Sequence, residues 1–356
     1  MVHGEFELIR ALAQKLKHHQ KEAGVIRGIG DDAAVLSLGT PPPYLVATVD
    51  LLVEEVHFSR CYITAAELGR RALAVSISDI AAMAATPRYA LISLAIPEGF
   101  PSDFLETMYE GLAECGQHLS TAVVGGNVSL SREGLAIDVI VLGEVDSPLY
   151  RSGAKDKELL IVSGTLGASA AGLLWLRRYG RCDKSHGALA AAVEHCIRAH
   201  LEVTPRLQLA QNMAQLGATA MIDISDGLAS EVNHLVNASQ LGMVVDKERL
   251  PLTEEVKSLC AALGKDPVEL ALFGGEDYEL LFTLPASRWP CALEASKSLG
   301  VPITIIGRTF WSPSPRAYLS NTRLPRKETA RDARHGEEAT RRWSVLLPSG
   351  WNHLDR

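Results

Sequence analysis

Aspartates stand in this sequence at positions where a soluble protein normally places apolar side chains. Asp50 lies in the run YLVATVDLLV, whose alternation puts it on one face with Tyr44, Val46 and Thr48. Asp79 falls on the stripe Leu68, Ala72, Val75, Asp79 and Ala82 of an alanine-rich helix at about 65–85. Asp223 interrupts the apolar strand AMIDIS, with Ser225 on the same face and Asp226 one residue beyond. A carboxylate in such surroundings is costly unless it is paired or bound to a cation. Few Lys or Arg residues lie beside these positions in sequence. Converging carboxylates without cationic neighbours describe a site for Mg²⁺ and phosphate, because Mg²⁺ takes hard oxygen ligands and keeps some of its waters. Asp32, in the turn Gly28-Ile29-Gly30-Asp31-Asp32, and Asp226 also suit a turn and a helix cap.

Glycine pairs supply a second ingredient. Gly28-Ile29-Gly30, Gly125-Gly126 and Gly274-Gly275 each allow a backbone to approach a ligand closely. Gly164-Thr165-Leu166-Gly167, ahead of a helix, reads either as an anion site at that helix's N-terminus or as a tight connection. No GxxxxGK[ST] loop, HRD, DFG, GxSxG or HExxH motif occurs. That excludes P-loop NTPases and protein kinases, so a nucleotide here has to be held by carboxylate-bound metal.

The elements that must position these residues alternate between helix and strand. A first helix is read over 5–18, the strand at 44–53, the helix near 65–85, a strand at 88–96 and a helix from Ser102 to about 119. The strands TAVVGG and GLAIDVIVLGEV follow, and Asp146–Gly153 reads as a connection between two domains. The second half repeats the alternation through ELLIVSG, SAAGLLWLRRYG, ATAMIDIS and ELLFTL. This favours an α/β (α+β) protein of two domains, 1–148 and 149–356, with a solvated, irregular segment at 310–345.

The chain has 356 residues and a net charge of −7, so a broad nucleic-acid surface is not expected. Neither a signal peptide nor an apolar run long enough to span a membrane is evident. The six cysteines are scattered without a CxxC pair, which suits a reducing compartment and a cytoplasmic protein.

Read in order, GEFELI, GIGDDAAV, TVDLLVEEVHF, SISDIAAMAA, VVGGN, RSGAK, GTLGASAAGL, IDISDGL, LALFGGEDYELLFT, VPITIIG and GWNHL resemble the thiamine-monophosphate kinases. These belong to the wider superfamily of aminoimidazole-ribonucleotide-synthetase-like ATP-using enzymes. The resemblance implies an N-terminal mixed sheet that pairs into a dimer barrel and a C-terminal α/β sandwich domain. It also implies direct in-line phosphorylation of thiamine monophosphate by ATP in a homodimer, with Mg²⁺.

By the same resemblance, Asp32, Thr48, Asp50, Asp79, Asn127, Asp223 and Asp226 are implied as metal ligands. Tyr109, Gly125, Gly126, Asn127, Arg151 and Ser225 are implied at ATP, and His57, Glu276 and Trp351 at the acceptor. Asp50, Asp79, Arg151 and Asp226 are implied in the transfer itself. The residues alone leave His57 as a possible structural histidine and Trp351 as a core cap. Departures from the family pattern are Val49 for threonine, Asn127 for a frequent aspartate and Ser76 for asparagine. Other enzymes of the superfamily, or a binding protein without turnover, remain the rival readings.

Overall fold

A computed structural model describes residues 25–37, 39, 42–181, 187–320 and 343–348. The helix expected at 5–18 and the acceptor contact expected at Trp351 lie outside these residues.

Two sheets organise the described chain. The first contains β1 (Val25–Arg27), β2 (Ala34–Leu36), β3 (Tyr44–Val53), β4 (Thr86–Pro97), β5 (Ala122–Ser131) and β6 (Ala136–Val145), in the order β1-β2-β3-β6-β4-β5. Helices α1 (Ala65–Ala82) and α2 (Ser102–His118) cover one face of it. Val46, Leu52, Ile92, Ile137 and Val139 from the strands meet Leu68, Leu73, Ile77, Met108 and Leu112 from the helices in one buried cluster. The outer face keeps apolar side chains in view, with Val49 and Leu51 more than half exposed at 59% and 54%.

The second half of the chain contributes β7 (Leu159–Ser163), β8 (Ala220–Asp223), β9 (Gly242–Asp246), β10 (Leu280–Leu284), β11 (Ile303–Phe310), β12 (Ala317–Ser320) and β13 (Trp343–Val345). They form a sheet of order β13-β12-β9-β11-β7-β10-β8. Its helices are α3 (Ala168–Tyr179), α4 (Ala190–Leu201), α5 (Leu207–Gln215), α6 (Leu228–Ser239), α7 (Glu254–Leu263), α8 (Pro267–Phe273) and α9 (Trp289–Ser298). Alternation of helix and strand along the chain does not produce parallel sheets. Among the described strands, only β4–β5 and β9–β12 pair in parallel, and the others pair antiparallel.

The segment 310–345 departs from the irregular loop read from its composition. Its described ends are strands, and Ala317 and Ser320 are buried. Phe310, Tyr318 and Trp343 form an aromatic triangle with ring centroids 5.5–5.9 Å apart. A four-residue strand carries too little periodicity to stand out within a polar window.

Helix α1 runs between the two halves. Thr64 and Glu67 close a capping box at its start, with the Thr64 N–H donating to Glu67 Oε2 at 3.0 Å. The helix is buried nearly all round, because the first sheet, α2 and the second half each take a face. Two glycines let α1 and α2 touch backbone to backbone: a Cβ at Gly69 would lie 1.9 Å from the Met108 carbonyl oxygen, and one at Gly111 would lie 2.1 Å from that of Ala66.

Candidate active site

The acidic centre forms where β3, α1 and β8 meet. The pleat of β3 turns Thr48 and Asp50 inward with Val46, as its alternation requires. Thr48 Oγ1 donates to Asp79 Oδ2 at 2.5 Å, and Ser78 Oγ donates to Asp223 Oδ2 at 2.6 Å. Oxygens of Asp32, Asp79 and Asp223 all lie within 4.8 Å of one another.

Packing like charges out of water raises the cost of ionising them. Burial, followed by the charges of Asp50, Asp223 and Asp32, pushes Asp79 well above the carboxylate range. Burial and the Asp32 charge push Asp223 up to about 7. Asp32 is also raised, burial outweighing its Arg151 partner. Asp32 Oδ2 is buried with no hydrogen-bond partner among the described residues.

One cation approaches this group, contrary to the scarcity of Lys and Arg in the neighbouring sequence. The Arg151 guanidinium donates to Asp32 Oδ1 from Nη2 at 2.7 Å and from Nε at 3.2 Å. Asp31 sets its backbone: its Oδ1 accepts from the N–H groups of Arg151 and Asp32, and its Oδ2 from Arg27 Nε. Asp226 stands one residue before Gly227, the N-cap of α6, and the Asp226 N–H donates to Glu231 Oε1 at 3.0 Å. Glu231 is buried and, through burial and the Asp226 charge, also raised well above its usual range.

A cavity of about 230 Å³ opens beside the cluster, lined among others by Asp50, His57, Asp79, Asp223, Ser225, Asp226 and Glu276. His57 Nδ1 accepts from the Val53 N–H at 2.9 Å. Glu276 pairs with Arg71 at 2.5 Å. The glycine pair has a physical reason here: Gly275 has φ +67, and a Cβ on it would lie 2.5 Å from the Ser225 carbonyl oxygen. Without a side chain, the loop before Glu276 lies flat on the loop carrying Ser225 and Asp226.

Tyr109, Gly125, Gly126 and Asn127 line a different, open groove of about 910 Å³ beside α2 and β5. Asn127 pairs through Ser93 and Asp138 to Leu51 across the sheet, whereas Asp50 pairs through Val139 and Ile92 to Gly126. Asn127 therefore belongs to the outer face and Asp50 to the inner one, separated by three strand spacings, about 14 Å. Within one chain Asn127 joins the Tyr109 groove rather than the aspartates.

Arg71, Ser78, Glu231, Tyr278 and Asp31 are site residues that sequence reasoning passed over. Arg71 carries the one available signal, standing eight residues before Asp79 on the same helical stripe. The anion site read at Gly164–Gly167 is filled from within, because the Gly167 N–H donates to both Asp277 oxygens at 3.0 Å.

The fold and its acidic cleft define a two-domain protein of the AIR synthase related class. Residues 30–145 match the AIR synthase related protein N-terminal domain, and residues 156–319 match its C-terminal domain. The thiamine-monophosphate kinase of Aquifex aeolicus is 39% identical over 287 residues, 80% of this chain and 87% of that one. The Bacillus subtilis thiamine-monophosphate kinase is 34% identical over 305 residues, covering 85% and 90%. Among solved structures, AaThiL complexed with AMPPCP and TMP superposes with TM-score 0.77 at 35% identity, covering 91% of this chain and 96% of that one. The chain belongs to the AIR synthase related family and, within it, to the thiamine-monophosphate kinases.

Proposed function

We propose that this protein transfers the terminal phosphoryl group of ATP to thiamine monophosphate, giving thiamine diphosphate and ADP. The observation that carries this reading is the cluster of buried Asp32 and Asp223 with half-buried Asp79, beside a cavity that holds Glu276 and His57. A chain similar enough to share the whole fold is solved with AMPPCP and TMP together.

The donor set fits Mg²⁺. Three carboxylates within 4.8 Å of one another and the unpartnered Asp32 Oδ2 ask for a hard cation rather than for more hydrogen-bond donors. Asp32, Asp50, Asp79, Asp223 and Asp226 would hold it, with Thr48 Oγ1 beside them. When bound, Mg²⁺ screens the repulsion between two polyanions, about 4 kcal/mol per charge pair at 4 Å and an effective dielectric near 20. The protein's own residues do the rest. Arg151 brings a guanidinium to the same centre, where it stabilises charge on the transferring group. His57 lines the cavity with its Nδ1 accepting from the Val53 N–H, and it is the residue read at the acceptor phosphate. Glu276 offers negative charge to the cationic ring. The acceptor is a phosphate monoester with a second pKa of about 6, so it attacks as a dianion and no aspartate has to take a proton.

The proposed assembly is a homodimer. Helices cover only one face of the first sheet, and the other exposes Val49, Leu51 and Tyr89. On the edge strand β5, the exposed Val128 and Leu130 pair with Leu94 and Ile96 of the helix-covered side, whereas Asn127 shares this outer face. A second copy packed there removes apolar surface from water and gives the outward-facing Asn127 a partner chain's site to serve. The free thiols of Cys61, Cys115, Cys196, Cys260 and Cys291 suit a reducing cytoplasm. Among the described residues, no helix is long and apolar enough to cross a membrane.

ADP release measured with thiamine, thiamine monophosphate and thiamine diphosphate tests the reaction. Turnover is expected with the monophosphate alone. Equal turnover on unphosphorylated thiamine, or wild-type rates in both Asp50→Ala and Asp79→Ala, would overturn it.

A further inference from the structure

Helix α1 presents Arg71, Val75 and Asp79 to the acidic cavity at four-residue spacing. A guanidinium and a carboxylate of the acidic cluster therefore lie eight residues apart on one stripe, about 12 Å along the axis, with an apolar side chain between them. Arg71 is 2% exposed. It donates from Nη1 to the His200 carbonyl oxygen on α4 and from Nη2 to Glu276 Oε1, and the Tyr278 ring lies 5.7 Å from its guanidinium carbon.

Glu276 is held by its backbone as well. It has φ +58, and its N–H donates to the Ser225 carbonyl oxygen at 2.6 Å. Oε1 is committed to Arg71. Oε2 lies 3.6 Å from His200 Nδ1, beyond hydrogen-bond length, and that nitrogen is shared with Ser169 Oγ at 3.1 Å. One carboxylate oxygen is thus fixed to the protein, and the other is left to the cavity.

We propose that Arg71 is a positioning residue for the acceptor: by holding Oε1 it aims the remaining charged oxygen of Glu276 at a cationic ring. This rests on the phosphotransfer reading above. Asp50, Asp79 and Asp223 line the same cavity, and Arg71 is the buried guanidinium that Glu276 pairs with among these carboxylates. Burial raises the Glu276 pKa, yet the charge and hydrogen bond of Arg71 bring it below its usual value. Because Arg71 and Asp79 share a rigid helix, the ring-binding end of the cavity keeps a constant distance from the phosphoryl end.

Steady-state kinetics on the full chain, with ATP, Mg²⁺ and thiamine monophosphate, test this in Arg71→Gln, Arg71→Lys, Glu276→Gln and the Arg71→Gln/Glu276→Gln double variant. Losing a charge-assisted anchor should raise the KM for thiamine monophosphate about tenfold in Arg71→Gln. The kcat and the KM for ATP should stay within about twofold. Arg71→Lys should recover part of the loss and, because it keeps a donor for the His200 carbonyl, still reports the effect if the glutamine variant does not fold. The double variant should be no worse than Glu276→Gln alone, since both changes remove one interaction. Losses that multiply in the double variant, an unchanged KM, or a fall in kcat at constant KM would each assign Arg71 a merely structural role. Wild type without turnover on thiamine monophosphate overturns the phosphotransfer reading and this proposal together, whereas normal wild-type turnover with an unaltered KM in Arg71→Gln overturns this one alone.

Discussion

Asp79 illustrates how the site trades stability for chemistry. It is packed half-buried against Asp50, Asp223 and Asp32, and its carboxylate accepts a hydrogen bond from Thr48. Replacing Asp79 by Asn should therefore raise the unfolding temperature in EDTA, since like charge is removed from a site that resists ionisation. The same change should cost at least about 100-fold in kcat/KM, as expected when a group stabilising phosphoryl charge is lost. Thermal melts with and without Mg²⁺ beside an ADP assay check both, and Mg²⁺ should stabilise the wild type more than Asp79→Asn. The three clustered aspartates were legible in the sequence to different degrees. Asp79 and Asp223 interrupt apolar patterns and announce their cost, while Asp32 shares a turn with any loop aspartate. The pairings of Asp31 and Arg71 were not legible, because their partners stand far along the chain: Asp31 meets Arg151 across 120 positions, and Arg71 meets Glu276 across 205.

Helix α1 carries the site, so its placement matters more than its own stability. Gly69 lies where α2 passes, and a methyl group there collides with the Met108 carbonyl. Gly69→Ala should force the helices apart and destabilise the fold by about 2–3 kcal/mol, measurable by urea unfolding. Activity should fall further than stability alone accounts for, because Arg71 and Asp79 move together. At the start of the helix, burial pushes Glu67 up, but hydrogen bonds from Arg181 and Thr64 outweigh it and hold its pKa at about 2. Its contribution is complete above the usual carboxylate range and is lost as pH falls towards 2. Glu67→Gln should therefore lower stability by about 1 kcal/mol at pH 7 and by progressively less in acid. Long elements such as α1, α2 and β3 were readable from periodicity to within a few residues. The edge strands β12 and β13 were not, since three or four residues beside a polar stretch leave no pattern to read.

At the scale of the molecule, the order of elements along the chain suggested α/β alternation but not how the strands pair. Antiparallel pairing dominates although many neighbouring strands are distant in sequence, as β7 is between β10 and β11. That choice is made by which faces pack, a property of the folded state. His200 gives the whole fold an acid dependence. Burial, helped by the Arg71 charge, lowers its pKa from 6.5 to about 3, so the folded chain refuses a proton that the unfolded chain takes. Stability from this residue is complete above pH 6.5 and is lost progressively down to about pH 3. At pH 5 the loss is about 2 kcal/mol, and denaturant titrations of His200→Gln should show that much less change between pH 7.5 and 5. Val49→Lys, on the uncovered sheet face, should halve the sedimenting mass and reduce activity if two copies pack there.

Asp277 occupies the amide at the head of α3, the one spot where the second half seemed ready to cradle phosphate on its own backbone. With that seat already taken, the protein has to hand its grip on triphosphate to dissolved ions. Nucleotide retention should then rise and fall with free magnesium: a chelator should strip AMPPCP from the protein while leaving it folded, as titration calorimetry and circular dichroism would record. Output of the diphosphate cofactor would thereby follow the cell's supply of an inorganic ion as closely as its supply of the vitamin.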